Sequence, residues 1–226
     1  MEKKYYAAYD ERYKTVHEQE FSWFSDQNTP IVMQTVRKYG LNPGMKFLEI
    51  GCGEGRDAKT VLENGYDLLA TDVSQEAIAY CKNRFPEYTR CFEILDCLEN
   101  DMEDCFNFIY AVAVVHMLVP DRDRNSFYRF ICDHLTKDGL ALICTMGDGE
   151  EESESDISKA FHLVERDHES GKMLLTATSC RKVSFHTFEK ELTGNGLSVV
   201  ESGITSALPD FDRLMYAVVR RNDVSP

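Results

Sequence analysis

The stretch Phe47-Leu48-Glu49-Ile50-Gly51-Cys52-Gly53-Glu54-Gly55-Arg56-Asp57 decides how the rest of the chain is read. Its apolar half reads as a buried strand, which runs into a glycine-rich loop and then a helical pattern. Glycine tolerates positive φ and has no Cβ, so such a loop lets backbone N–H groups approach a small charged ligand.

Outward from that loop the same unit recurs. Pro30 opens a helical stretch over 31–39 that stops at Gly40, and Asn42-Pro43-Gly44 is a turn. After the strand at 46–50 comes a helix over 57–64, ended by Gly65. A strand at 67–71 delivers Asp72, and Ser74 caps a helix through Phe85 that Pro86 ends. A strand at 90–95 is closed by Asp96. The apolar run 106–115 is a buried strand that delivers His116. Asp121 or Asp123 caps a helix through Leu135, Lys137-Asp138-Gly139 is a turn, and 140–145 is a fifth strand. Strands alternating with helices on short connections predict an α/β fold, a doubly wound, mostly parallel sheet with helices on both faces.

The alternation breaks at Gly147. An acidic loop over 147–156, a polar helix near 157–167 and an extra strand near 173–177 read as an insertion. Ser184 then caps a helix over 185–193, and strands at 197–202 and 214–220 close the chain. Their connection is too short for a crossover helix, so the last pair should be antiparallel. The organisation is therefore one domain over 1–226: an N-terminal helical lid over 1–42, a cofactor-binding core over 44–146, an insertion or substrate cap over 147–182, and a C-terminal helix with the closing strand pair over 183–226.

Composition fits this. Of 226 residues 43% are hydrophobic and 28% charged, as in a globular protein. A formal net charge of −14 argues against a general nucleic-acid binder, which needs a basic face. None of the eight cysteines forms a Cys-x-x-Cys pair, so a zinc ribbon is not indicated, and no metal site is expected. No segment approaches the ~18 apolar residues of a membrane span. The expectation is a soluble, cytoplasmic protein.

In open parallel sheets the ligand sits beyond the C-terminal strand ends. There the strands deliver Gly51, Gly53 and Gly55, then Asp72, Asp96 and His116. Asp72 stands where a carboxylate accepts two ribose hydroxyls, and Asp96 can accept from an adenine amino group. Each acid alone could be a turn or cap residue; together they favour an adenosine site. The Gly51-x-Gly53-x-Gly55 spacing, with Glu49 before it, departs from the Gly-x-Gly-x-x-Gly dinucleotide fingerprint.

The run 48–56 resembles the first motif of class I S-adenosylmethionine-dependent methyltransferases. The resemblance continues through Ala70-Thr71-Asp72-Val73-Ser74, Asp96, the 108–118 segment with Val115-His116-Met117, and Leu135-Thr136-Lys137-Asp138-Gly139. It implies a Rossmann-like fold with S-adenosyl-L-methionine as cofactor and S-adenosyl-L-homocysteine as product. It also implies roles. Glu49 and the backbone of Gly51, Cys52, Gly53 and Gly55 face the methionine moiety. Asp72 holds the ribose, with Val73 against the adenine. Asp96 and the Cys97 N–H read the adenine edge, and the backbone near Ala111 meets the methionine amino group. Asn107 departs from the Asp that many relatives carry there.

His116 is a general-base candidate by position, or else a brace for the site. Tyr5, Tyr9, Tyr13 and Trp23 are candidates for a lid, or for one face of a packed amphipathic helix. Arg56 either orients an anionic substrate or pairs with a nearby acid. His162 and Glu165 at three-residue spacing fit one helix face, where solvated charge is the commoner explanation than a ligand pair. The leading function is methyl transfer to a small-molecule acceptor, with neither nucleic acid nor membrane as partner. The alternatives are an NAD-type oxidoreductase, which Glu49 and the glycine spacing disfavour, and a cofactor-binding protein without transferase activity.

Overall fold

A computed structural model of the chain describes residues 4–22, 27–168, 171–205 and 213–222. A 3₁₀ turn, Tyr5–Ala7, leads into α1 (Ala8–Glu18), followed by α2 (Pro30–Lys38), β1 (Lys46–Ile50), α3 (Arg56–Glu63) and β2 (Asp67–Asp72). Next come α4 (Gln75–Arg84), β3 (Phe92–Ile94), β4 (Phe106–Val112), α5 (Asp121–His134) and β5 (Leu135–Met146). The insertion holds β6 (Ser153–Glu154), β7 (Leu163–His168), β8 (Gly171–Thr176) and β9 (Arg181–Lys182). The chain closes with α6 (Phe185–Gly194), β10 (Leu197–Thr205) and β11 (Leu214–Arg221).

The large sheet has the order β10-β11-β5-β4-β1-β2-β3. β5, β4, β1, β2 and β3 run parallel, while β11 is antiparallel to both β5 and β10. The strand order reverses between β1 and β4, which opens a crevice at their C-terminal ends. Both faces of the sheet are covered, so β1 is buried almost throughout. Phe47 packs with Val32 and Val36 of α2 and Val61 of α3. Leu48 and Ile50 pack on the opposite face with Phe127 and Ile131 of α5 and Phe188 of α6.

Ser74 and Ser184 cap their helices, accepting from the N–H groups of Ala77 and Thr187 at 3.0 and 3.2 Å. The closing pair is antiparallel, as its short connection requires. Several local expectations are corrected. Pro120 occupies the N-cap of α5, and Asp121 and Asp123 lie in its first turn, where their charge still meets the helix dipole. The strand at 90–95 shrinks to β3, because the 3₁₀ turn Pro86–Cys91 takes the residues before it. Residues 137–139 are not a turn: β5 begins at Leu135, and its pairing with β4 shifts register between Phe106 and Phe108. β4 ends at Val112, and Val115–Met117 is a 3₁₀ turn.

The polar helix at 157–167 is absent. A 3₁₀ turn, Ile157–Lys159, is followed by β7, which pairs antiparallel with β8. Ile157, Ala160, Phe161 and Val164 fall at helical spacing, and strand pairing with β8 overrides that local pattern. The hairpin is fixed instead from outside, by Leu175 packing on Val16 of α1 and on Phe21. His162 and Glu165 therefore do not share a helix face. Among the described residues no helix is long and apolar enough to cross a membrane.

Candidate active site

At the crevice between β1 and β4 lies a cavity whose empty space is about 640 Å³, open solvent at its mouth included. Gly51, Asp72, Val73, Asp96 and Cys97 line it, and Tyr6, Tyr9 and Tyr13 enter from the N-terminal segment.

The glycine loop is pinned to β2. The N–H groups of Gly51 and Cys52 both donate to the Thr71 carbonyl, at 2.7 and 2.9 Å. Gly53 has φ +52°, and a Cβ placed on it would stand 2.6 Å from the Tyr13 hydroxyl oxygen. A side chain at 53 would thus exclude Tyr13 from the cavity. Asp72 closes the loop: its Oδ2 accepts from the Gly53 N–H and its Oδ1 from the Ser74 N–H, both at 2.8 Å. Burial raises the Asp72 pKa above the usual carboxylate range, and those two N–H donors oppose the rise. Asp96 Oδ1 accepts from the Leu98 N–H at 3.1 Å. Cys97 presents a thiol that burial pushes up to about 12, so it lines the cavity as a small apolar group.

Other expected site residues stand elsewhere. Glu49 is only 3% exposed and does not line the cavity. It points to the sheet face opposite Ile50 and accepts from the Tyr110 hydroxyl at 2.9 Å. Burial, then the neighbouring Asp57 carboxylate, raises its pKa well above the ordinary range. Ala111 is buried within β4 and its side chain packs in the core. Arg56 turns to Thr29 and Asp57, 3.2 Å from the Thr29 hydroxyl and 3.5 Å from an Asp57 oxygen. Asp57 also accepts from Thr29, N–H and hydroxyl, at 2.6 and 2.7 Å. Arg56 is thus part of a buried junction between α2 and α3.

His116 is buried in the turn after β4 and does not line the cavity. Burial, helped by the nearby Arg124 charge, lowers its pKa to about 3. The imidazole is therefore neutral at physiological pH, and its protonated form is strongly disfavoured. Tyr5 also stays outside the cavity. Its hydroxyl donates to Asp123 at 2.8 Å and accepts from the Val119 N–H at 3.3 Å. Tyr9 and Tyr13 do face the cavity. Trp23 lies outside the described residues.

The segment after β4 supplies lining that the sequence pattern did not single out: Val114, Met117 and Leu118. Ala113 turns the chain there with φ +56°, a strained conformation for a residue with a Cβ. Ser179 Oγ donates to the Met117 carbonyl at 2.6 Å, which ties the end of the insertion to this lining.

The long reach of α1 was also hidden in the sequence. Asp10 accepts from the Ser74 hydroxyl and the Glu76 N–H, at 2.7 and 3.0 Å. His17 lies 3.0 Å from Glu54 and 2.8 Å from Glu76 and stacks on Tyr80. Arg12 Nε donates to the Thr176 carbonyl at 2.9 Å. The helix is thereby fixed to the glycine loop, to α4 and to the insertion hairpin at once.

Glu49 gives a pH-dependent prediction. The folded state holds its proton at higher pH than the unfolded chain does, where the pKa is about 4.3. The folded state therefore binds the extra proton, and stability falls as pH rises above ~4.3 towards the raised value. Glu49→Gln keeps the shape and the Tyr110 bond without a titrating group. Urea unfolding should show the variant gaining on the wild type as pH rises above 5, until the raised pKa is passed. Parallel pH profiles for the two proteins would show that Glu49 is not held protonated.

A doubly wound sheet with glycines at one strand end and acids at the next two, around a crevice at the switch point, is the layout of a Rossmann-like fold with its ligand crevice. Residues 48–141 match the family described as a methyltransferase domain. That match runs from β1 into β5, the part of the chain that holds the glycine loop, Asp72 and Asp96. Among solved structures the chain is similar to the CcbJ methyltransferase from Streptomyces caelestis, at 13% identity over 97% of this chain and 100% of that one, with a TM-score of 0.71. It is similar to the 1,6-didemethyltoxoflavin-N1-methyltransferase of Burkholderia thailandensis, at 17% identity over 97% and 89%, with a TM-score of 0.70. It is also similar to the glycopeptide N-methyltransferase MtfA complexed with S-adenosylmethionine, at 14% identity over 88% and 96%, with a TM-score of 0.62. At such identities these likenesses show a shared fold. No curated protein matches the sequence significantly.

Proposed function

We propose that the chain transfers the methyl group of S-adenosylmethionine to a small-molecule acceptor held beneath the N-terminal lid and the 147–182 cap. The cavity residues fit this cofactor. Asp72 offers a carboxylate to the ribose hydroxyls, Asp96 one to the adenine amino group, and Val73 an apolar face to the base. Gly51 and Gly53 lack a Cβ, which lets Val114 and Tyr13 pack directly over the loop where the methionine end would lie. Bound there, the cofactor supplies a methyl carbon already activated by its sulfonium.

The chain's own contribution is alignment and exclusion of water. Tyr9 and Tyr13 present aromatic surface to the cavity, and such faces stabilise cations. His116, neutral and buried, acts as a brace for the turn that carries Met117 rather than as a general base. Glu49 acts from behind the loop, with Tyr110, rather than on the methionine moiety.

The observation that supports the small-acceptor reading is that Tyr6, Tyr9 and Tyr13 of the chain itself line the cavity. An acceptor must share the space beside them, which suits a compact molecule better than a polymer. The didemethyltoxoflavin enzyme, with its acceptor and S-adenosylhomocysteine bound, offers a parallel of similar fold. Transfer of labelled methyl should appear in a small-metabolite fraction offered as acceptor. Label confined to protein or RNA fractions would sink this reading. Tighter binding of NAD than of S-adenosylmethionine would favour an oxidoreductase instead.

A further inference from the structure

We infer that Lys4 and Tyr6 compete with the cofactor's adenine for Asp96, so that the chain's N-terminal segment sets how tightly cofactor binds. The inference rests on the reading of Asp96 as the adenine acceptor. Asp96 Oδ2 takes two donors from that segment: the Lys4 ammonium at 2.7 Å and the Tyr6 hydroxyl at 3.0 Å. Its Oδ1 is engaged by the Leu98 N–H. A carboxylate oxygen offers about two lone-pair sites. An aryl amine approaching Oδ2 therefore meets an oxygen whose acceptor sites are filled.

The displaced donor is the stronger one. An ammonium meets a carboxylate with charge on both partners, whereas an adenine amino group leaves the charge on the acceptor alone. Lys4 also stands 2.5 Å from Glu99, so it stays beside the site after release and can return. Tyr6 lines the same cavity as Asp96, which places its hydroxyl in the path of the base. The anchors of α1 at Asp10, Arg12 and His17 do not involve Asp96. Two side chains can swing away while the helix stays docked. The apparent affinity is then the intrinsic affinity scaled by the fraction of molecules whose Asp96 is released.

The Lys4 side chain is 35% exposed and that of Asp96 13%, so salt screens the pair only in part. Calorimetry with S-adenosylhomocysteine on the full chain tests the competition. Lys4→Met should tighten binding about three- to tenfold, and Tyr6→Phe by less. Raising the ionic strength from ~10 to ~150 mM should tighten binding to the wild type but not to Lys4→Met. Lys4→Arg should keep the wild-type behaviour. Asp96→Ala separates the two levels. If it weakens binding while Lys4→Met leaves affinity unchanged or lower, the competition is wrong and the site assignment stands. If Asp96→Ala leaves affinity unchanged, the adenine assignment itself falls.

Discussion

Alanine at position 72 should weaken S-adenosylhomocysteine binding about 100-fold. Asp72 spends one acceptor site of each oxygen inside the protein, on Gly53 and Ser74. The remaining sites belong to the cavity that it lines. Two charge-assisted bonds to ribose hydroxyls are worth about 1.5–3 kcal/mol each. Loss of even one, together with a loosened Gly53, accounts for the ~2.7 kcal/mol that a 100-fold change requires. Stability should respond differently. The raised Asp72 pKa means that the folded state resists the charged form, so its contribution declines as pH climbs from about 3.9 towards the raised value. Alanine removes that decline but leaves two N–H groups without their acceptor. The net shift of the ligand-free melting midpoint at pH 7 should stay within about 4 °C. A variant that melts normally yet shows no ligand-induced rise in melting temperature separates a lost contact from a lost fold. Undiminished affinity would remove Asp72 from the site.

The parts of the site that were legible in the sequence are those made by one strand end and the loop after it. Gly51, Gly53 and Asp72 come together because β1 and β2 are parallel neighbours in register, Ile50 opposite Thr71. Such a site needs only the order of elements to be right. Glu49 went wrong for a reason that the sequence contains. Side chains alternate along a strand, so a Glu49 beside a cavity-lining Ile50 must face the other way. The choice between base and brace for His116 turns on a finer point. The apolar run through Val115 does not continue as strand, and a 3₁₀ turn buries the imidazole while Met117 faces the cavity. Contacts made across long sequence separations left no local pattern. Arg12 on Thr176 and Lys4 on Asp96 depend on where α1 docks, and that is decided by tertiary packing. The insertion shows the same limit: residues 163–168 pair with β8 and gain an apolar anchor through Leu175 on Val16 and Phe21.

Arg124→Met should destabilise the fold by about 3–5 kcal/mol, the cost typical of breaking a buried ion pair from one side. Arg124 is fully buried, at 0% exposure. Its Nε and Nη2 donate to the two Glu191 oxygens at 2.8 and 2.6 Å. Its Nη1 donates to the carbonyls of Val115 and Leu118, at 2.8 and 3.2 Å. Tyr128 donates to the same Glu191 oxygen at 2.8 Å. One side chain thus joins α5 to α6 and holds both ends of the turn that carries Met117 and Leu118 into the cavity. Methionine replaces the stem but none of the donors, so Glu191 loses its nearer counter-charge, keeping Arg181 at 3.8 Å, and two buried carbonyls lose a partner. Since whole domains are stable by only about 5–15 kcal/mol, urea unfolding will register the change at once. The double variant Arg124→Met, Glu191→Met should recover part of the loss, because it removes the stranded carboxylate. It should not recover the Val115 and Leu118 carbonyl bonds, so cofactor affinity should stay below wild type even where stability returns. A single variant within about 1 kcal/mol of wild type would show that the turn is held by its own packing and that Arg124 merely accompanies it.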